Sequence, residues 1–172
     1  MLSFMYTLAS RGCAGVNLET GVNQLGFISS YSPLGDDERG HYAATPEFYG
    51  MLAFAHWGVG RLVAANLESG GRNLEAYATQ SSNDRILLTL INKESTTDAN
   101  FRLEVPAGFQ KGSLLRLAAP SLHSKTGVLF GGAAVGASGK WSPSEAEEVR
   151  ASGGKLSVLV PAASAAVVTL QT

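Results

Sequence analysis

The chain has 172 residues, 45% of them hydrophobic and 16% charged, with a net charge of -1 at pH 7. That length bounds it to one domain, or one domain with a piece of another. The near-neutral balance excludes the basic footprint of a nucleic-acid binder and the Lys/Arg block of a protein that docks on an acidic membrane, so neither is expected as a partner.

Other totals narrow the class. The 20 glycines point to many tight turns, as in all-β proteins. A single cysteine, Cys13, rules out an internal disulfide framework. The start of the chain lacks a cationic segment followed by a long apolar run, so it does not read as a signal peptide. No stretch reaches the ~18 apolar residues of a membrane span. The compartment stays unassigned.

In chain order, Leu2, Phe4, Met5, Leu8 and Ala9 fall near helical spacing, and Gly12 follows as a stop. Residues 13–18 are a short apolar run that predicts a buried strand, with Cys13 as a buried structural thiol. A helix, a glycine turn and a strand form an αβ step, normally part of a parallel sheet. Residues 19–44 are turn-rich, and a loop this long is usually functional or disordered. Its aromatics Phe27, Tyr31 and Tyr42 argue against pure disorder.

The next stretch, 45–57, predicts a helix with a visible start. Thr45 is placed to cap it, Pro46 suits the first position, and Glu47 puts a negative charge at the positive end. Phe48, Met51, Leu52, Phe54, Ala55 and Trp57 leave no wide polar face, so this helix must be covered on most sides.

From Arg61 onward the pattern is strands and turns. Strands are expected at 62–67, 74–79, 86–91, 101–105, 114–117, 128–130, 156–160 and 165–170. Short strands at about 8–12-residue spacing are the pattern of a β-sandwich. The polar stretch 142–154, with Glu145, Glu147 and Glu148, reads as an exposed loop or one helical turn.

Candidate chemistry is sparse. Glu19 would sit where the first strand ends, a place for a catalytic carboxylate with Asp36, Asp37 or Glu47 as partner. The plainer reading is a loop carboxylate. Asp36-Asp37-Glu38 lacks the alternating oxygen ligands and glycine turn of a Ca²⁺ site. His41, His56 and His123 form no paired-ligand spacing, and His56 reads as a hydrogen-bonded core histidine. No metal and no cofactor is expected. Gly131-Gly132 lacks the strand and helix context of a dinucleotide site. Trp57 reads as core. Trp141 is a candidate sugar platform, but plugging the edge of a sandwich is the commoner use of such a Trp.

Two sets of segments stand out by their order. The first is Cys13-Ala14-Gly15-Val16-Asn17, Tyr31-Ser32-Pro33 and the run from Pro46 to Ala55. The second is Ala119-Pro120-Ser121-Leu122, the run from Gly127 to Ala133, Lys140-Trp141-Ser142-Pro143 and the run from Val160 to Ala166. The first set resembles the end of the catalytic barrel, and the second the C-terminal β-sandwich, of glycoside hydrolase family 79, which includes β-glucuronidases and heparanase-like enzymes. After Asn17 the family tends to carry an aromatic, a His and glycines, whereas Leu18-Glu19-Thr20-Gly21 stands here.

The resemblance implies a mainly β fold, an antiparallel β-sandwich at 61–172, preceded by a short α-β-α segment at 1–60 left from a (β/α)8 barrel. It implies retaining hydrolysis of a β-glucuronide as the parental chemistry, with both catalytic glutamates upstream of the matched segment, so no catalytic residue is assigned. Tyr31 matches a family tyrosine close to the sugar, and Asn17 and Glu19 flank the same loop as substrate-contact candidates. The expected partners are a carbohydrate such as a glucuronide, and either a second copy or an upstream barrel chain. The alternatives are a stand-alone carbohydrate-binding module and one part of a two-chain enzyme. The apolar helix at 45–57 demands one of two outcomes: association, or packing of residues 1–60 against the sandwich.

Overall fold

The computed structural model describes residues 1–18, 32–36, 41–81 and 84–172. The chain is mainly β. It opens with helix α1 (Leu2–Ser10), a short antiparallel ribbon of β1 (Leu34–Asp36) and β2 (Tyr42–Ala44), and helix α2 (Pro46–Trp57). Nine strands follow: β3 (Arg61–Val63), β4 (Leu74–Gln80), β5 (Ile86–Asn92), β6 (Ala99–Glu104), β7 (Lys111–Ala118), β8 (Leu129–Phe130), β9 (Glu147–Arg150), β10 (Lys155–Val160) and β11 (Ser164–Gln171).

The large sheet runs β3-β4-β5-β11-β7-β8, with β9 also paired to β7, and every pairing is antiparallel. A second sheet holds β10 and β6. The two-residue period of a strand sorts side chains onto opposite faces. In β11, Ala165 and Val167 join one core, and Ala166, Val168 and Leu170 join the other. The first core lies under the helices and takes Leu2, Tyr6, Tyr49 and Ala53 with Ile91, Leu115 and Phe130. The second lies between the sheets and takes Leu90 and Leu114 with Phe101, Leu156 and Val158. The large sheet is thus the middle of three layers. This explains the near-continuous apolar run of β5, which is covered on both faces.

Two of the four links between these sheets turn at one place. β5 passes to β6, and β10 passes to β11, through corners held by buried Asn92. Its Nδ2 donates to Thr97 O at 2.9 Å and to Val160 O at 3.0 Å. At the second corner the Ala162 N–H donates to Asp98 Oδ1 at 2.9 Å. Ala163 there has φ 51°, an uncommon conformation for a residue with a side chain.

The helices cross at Gly50. A Cβ built there would come within 2.9 Å of Leu2 N and 3.0 Å of Met1 Cβ, so the absent side chain is what lets α1 reach α2. α1 and the large sheet bury Tyr49, Gly50 and Ala53 of α2, while Phe48, Met51, Leu52, Phe54 and Trp57 stay half-buried.

Several expectations from the sequence need correction. Residues 13–18 form no strand, and Cys13 is exposed; an apolar run becomes a strand only when another strand offers its hydrogen bonds. Thr45 does not cap α2: its hydroxyl donates instead to Ser32 O at 3.0 Å, fastening the helix start to the β1 segment. His56 is exposed. Trp57, read as core, does pack against the first core and is half-buried there. The stretch 142–154 contains β9, an edge strand. The expected strand at 62–67 is cut to β3. Helix α1 does not pack through Phe4, which is 47% exposed, but through Leu2 and Tyr6.

Candidate functional site

Two side-chain clusters lie on the helix-covered face of the large sheet. The first is polar and sits where α1 meets β4 and β5. Ser3, Tyr6 and Thr7 share a side of α1 by the three- and four-residue spacing of a helix. Glu75 and Tyr77 share a face of β4. The Tyr6 ring stacks on Tyr77 with centroids 4.5 Å apart, and its hydroxyl shares a 2.8 Å hydrogen bond with Thr89. The Tyr77 O–H donates to Glu75 Oε2 at 3.1 Å, and Lys93 forms an ion pair with the same carboxylate. Lys93 Nζ also reaches Ser3 Oγ at 3.5 Å.

Burial governs the acidity here. It pushes Tyr6 up to about 12 against the lowering effect of the Thr89 hydrogen bond. Burial likewise raises Tyr77. For Glu75 burial acts upward too, but hydrogen bonds from Lys93 and Ser3 and the Lys93 charge prevail and hold the carboxyl below its usual range. The cluster therefore favours an anionic carboxylate locked to a cation, beside phenols kept neutral. That arrangement pins a helix to a sheet.

The second cluster is aromatic and lies at the end of α2. Trp141 stacks on buried Phe130 at 4.7 Å with an interplanar angle of 9°, and its Nε1–H donates to Phe130 O at 2.9 Å. Trp57 meets Phe130 edge-on, and His56 lies 5.5 Å from Trp141. Trp141 thus has one ring face and its polar edge committed to the sandwich, the plugging arrangement. The Gly131-Gly132 turn below it has φ 57° and 72°, a backbone turn rather than a nucleotide loop.

The residues singled out in the sequence do not gather into one described site. Tyr31 and Glu19 lie outside the described residues, as does the Asp37-Glu38 part of the acidic run. Asn17 is exposed in a segment without regular structure. Glu47 is in the first turn of α2. Other carboxylates are held individually: Glu147 Oε2 accepts from Arg116 Nη2 at 2.9 Å, Glu94 Oε1 accepts the Asn73 N–H at 2.6 Å, and Asp98 accepts the Ala162 N–H. Among the described residues no group of three or more His, Cys, Asp or Glu could hold a metal, and no helix is long and apolar enough to cross a membrane.

The polar cluster was not found from sequence, although its signal was present. Alternation along β4 puts Glu75 and Tyr77 together, and the polar side of α1 carries Ser3, Tyr6 and Thr7. What sequence does not give is that these two faces meet.

The model of the glycosyl hydrolase family 79 C-terminal beta domain matches residues 72–167, more than half of the chain. The chain belongs to this family. The family 79 match runs from just before β4 into β11 and so takes in strands of both sheets. No curated protein matches the sequence. Among solved structures, a 4-O-alpha-L-rhamnosyl-beta-D-glucuronidase from Fusarium oxysporum 12S is 24% identical, with a TM-score of 0.61, and the match covers 76% of this chain and 31% of that one. The GH51 alpha-L-arabinofuranosidase from Thermotoga petrophila RKU-1 has a TM-score of 0.67 at 13% identity, covering 83% of this chain and 32% of that one. The arabinose-bound MgGH51 arabinofuranosidase matches over 99% of this chain and 26% of its own, with a TM-score of 0.65 and 18% identity. At these identities the likeness is one of fold. The family 79 chain spans about a quarter to a third of the length of these structures.

Proposed function

We propose that this chain is the non-catalytic sandwich region of a family 79 glycoside hydrolase, and that residues 1–60 are the closing part of a catalytic barrel. The observation that carries this reading is the family match over 72–167, taken with two helices that precede the sandwich and pack on its large sheet. Retaining hydrolysis needs two carboxyls about 5–5.5 Å apart across the sugar. On this reading both belong to a companion barrel, and the present chain supports that barrel and contributes loop contacts from Asn17, Glu19 and Tyr31. The parental substrate class is a β-glucuronide, in keeping with the β-D-glucuronidase activity of the similar Fusarium protein.

The test has two arms. An aryl β-glucuronide assay of the chain alone is expected to give no turnover, and turnover lost in Glu19→Gln would replace this reading with a small hydrolase. Titration with glucuronides and heparin-like sugars, followed by tryptophan fluorescence, is expected to give no saturable change at Trp141. Its stacked face and committed N–H favour the structural role. A saturable change abolished by Trp141→Ala would instead establish a stand-alone carbohydrate-binding module.

A further inference from the structure

Beneath α1 the large sheet is polar where packing alone has no need of it. β4 turns Glu75, Tyr77 and Thr79 onto this face, and β5 sets Thr89 opposite Tyr77. Lys93 follows β5 and pairs with Glu75. On the same side of the sheet β11 offers only Ala165 and Val167 to the core. Apolar groups hold a helix on a sheet at least as well as an ion pair does, so anchoring α1 leaves the polarity unexplained.

These residues have the composition of a seat for a sugar ring. A pyranose carries C–H bonds on one face and hydroxyls around its rim, so it is held by an aromatic ring below and by charged and hydroxyl groups beside it. Tyr77 is such a ring; Thr89 stands beside it, Glu75 toward one end and Thr79 toward the other. Helix α1 fills this seat with the same kinds of contact. The Tyr6 ring lies flat on Tyr77, 10° from parallel, and its hydroxyl bonds Thr89. Ser3 Oγ lies 3.5 Å from Lys93 Nζ, and Thr7 Oγ1 lies 3.4 Å from the Tyr77 hydroxyl. One group is left over. Thr79 is fully buried, and its hydroxyl has no hydrogen-bond partner among the described residues, though it lies near enough to Tyr6 to lower the acidity constant of that phenol. Buried polar groups are nearly always paired, so Thr79 points to an occupant with one more hydroxyl than α1 supplies.

Helix α1 is lightly held. It buries only Leu2 and Tyr6, its start has no side-chain cap, and residues 11–33 join it to β1, a link long enough for it to lift. We propose that the sheet face of Glu75, Tyr77, Thr79, Thr89 and Lys93 binds a neutral pyranose, and that α1 is its built-in competitor, with Tyr6 standing in for the sugar ring. Lys93 is already paired with Glu75, and that carboxylate repels a uronate, so the ligand is an uncharged sugar. The site is separate from Trp141 and does not depend on a companion barrel.

The test titrates methyl β-D-glucopyranoside, methyl β-D-galactopyranoside and methyl β-D-xylopyranoside into the full chain and follows amide exchange, with mannitol, a polyol without a ring face, as control. At least one pyranoside is expected to bind saturably and to speed exchange in α1, because it takes the place of that helix. Apparent affinity is reduced by the fraction of molecules whose site is open, so Tyr6→Ala, which removes the stand-in, binds at least tenfold more tightly. Ser3→Ala combined with Thr7→Ala removes two rim hydroxyls only; it binds at least threefold more tightly and serves if Tyr6→Ala fails to fold. In that double variant Tyr77→Leu abolishes binding, and Thr79→Val weakens it severalfold without lowering the urea midpoint, since α1 takes no hydrogen bond from Thr79. The proposal is overturned if no pyranoside saturates the double variant at tens of millimolar, if mannitol binds as well, if binding leaves exchange in α1 unchanged, or if Tyr77→Leu and Thr79→Val have no effect. Binding lost in Trp141→Ala overturns it in favour of the aromatic cluster.

Discussion

Tyr6 stabilises this fold in two ways that one substitution separates. Its ring fills the layer between α1 and the sheet, and its hydroxyl satisfies buried Thr89. Tyr6→Phe keeps the ring and leaves Thr89 unpaired, so urea denaturation at pH 7 is expected to show a loss of about 1–3 kcal/mol. The same residue sets an alkaline limit. Its folded pKa, about 12, lies above its unfolded value near 10. The stability it contributes is therefore complete below pH 10 and is lost as pH rises toward 12. A shift of two pH units corresponds to about 2–3 kcal/mol. Comparing urea midpoints at pH 8 and pH 11.5 checks this: wild type is expected to fall further than Tyr6→Phe, and parallel falls would refute the assignment. Glu75 acts at the other end. Its lowered pKa means stability present above the ordinary carboxylate range and lost as pH falls through the folded value. Glu75→Gln is expected to flatten that acid limb.

At the scale of elements, the contact between α1 and α2 turns on a missing side chain. Gly50→Val would force a Cβ into the Leu2 backbone at 2.9 Å, where nothing flexible can give way. Overpacking of this kind costs about 1–3 kcal/mol, and a β-branched residue in a helix adds a little more. The expected result is a lower thermal midpoint together with faster amide exchange in α1. Unchanged exchange in α1 would mean that the helices do not depend on this crossing. The apolar strands were legible in the sequence because their residues face a core, and α2 was legible from Pro46 and Glu47 at its start. β9 was not: Glu147-Glu148-Val149-Arg150 has no apolar alternation, since a strand on the rim of a sheet needs none. Residues 13–18 erred in the opposite direction. Their composition satisfies a strand, but pairing is a property of two segments, and one segment cannot report it. Thr45 was read as a cap from its type and position, while the hydroxyl is spent on Ser32, 13 residues earlier.

For the whole molecule, the sandwich was visible as a rhythm of short strands, whereas its sheet order was not. Strands β10 and β11 are neighbours in sequence yet lie in different sheets. Nothing in the run around Pro161 announces the change of sheet; Asn92, 68 residues before Val160, is what secures it. Asn92→Ala would leave the buried Val160 carbonyl without this donor, whereas the exposed Thr97 carbonyl keeps Arg72 Nη2 at 3.2 Å. The expected loss is about 1–3 kcal/mol for the buried carbonyl left unpaired, read from chemical denaturation. Tyr31 and Glu19 lie outside the described residues, so their reading rests on the family likeness alone.

Strand β11 lies between β5 and β7, so the centre of the large sheet is filled by the last strand in sequence. A ribosome releases β5 about 70 residues before β11, and at ~5–20 residues per second that is a wait of roughly 4–14 s. During that interval two rich apolar edges have no legitimate neighbour. Nascent copies are thus at their most adhesive just before β11 emerges, and a stall upstream of Ser164 would leave β5 and β7 without the strand that joins them.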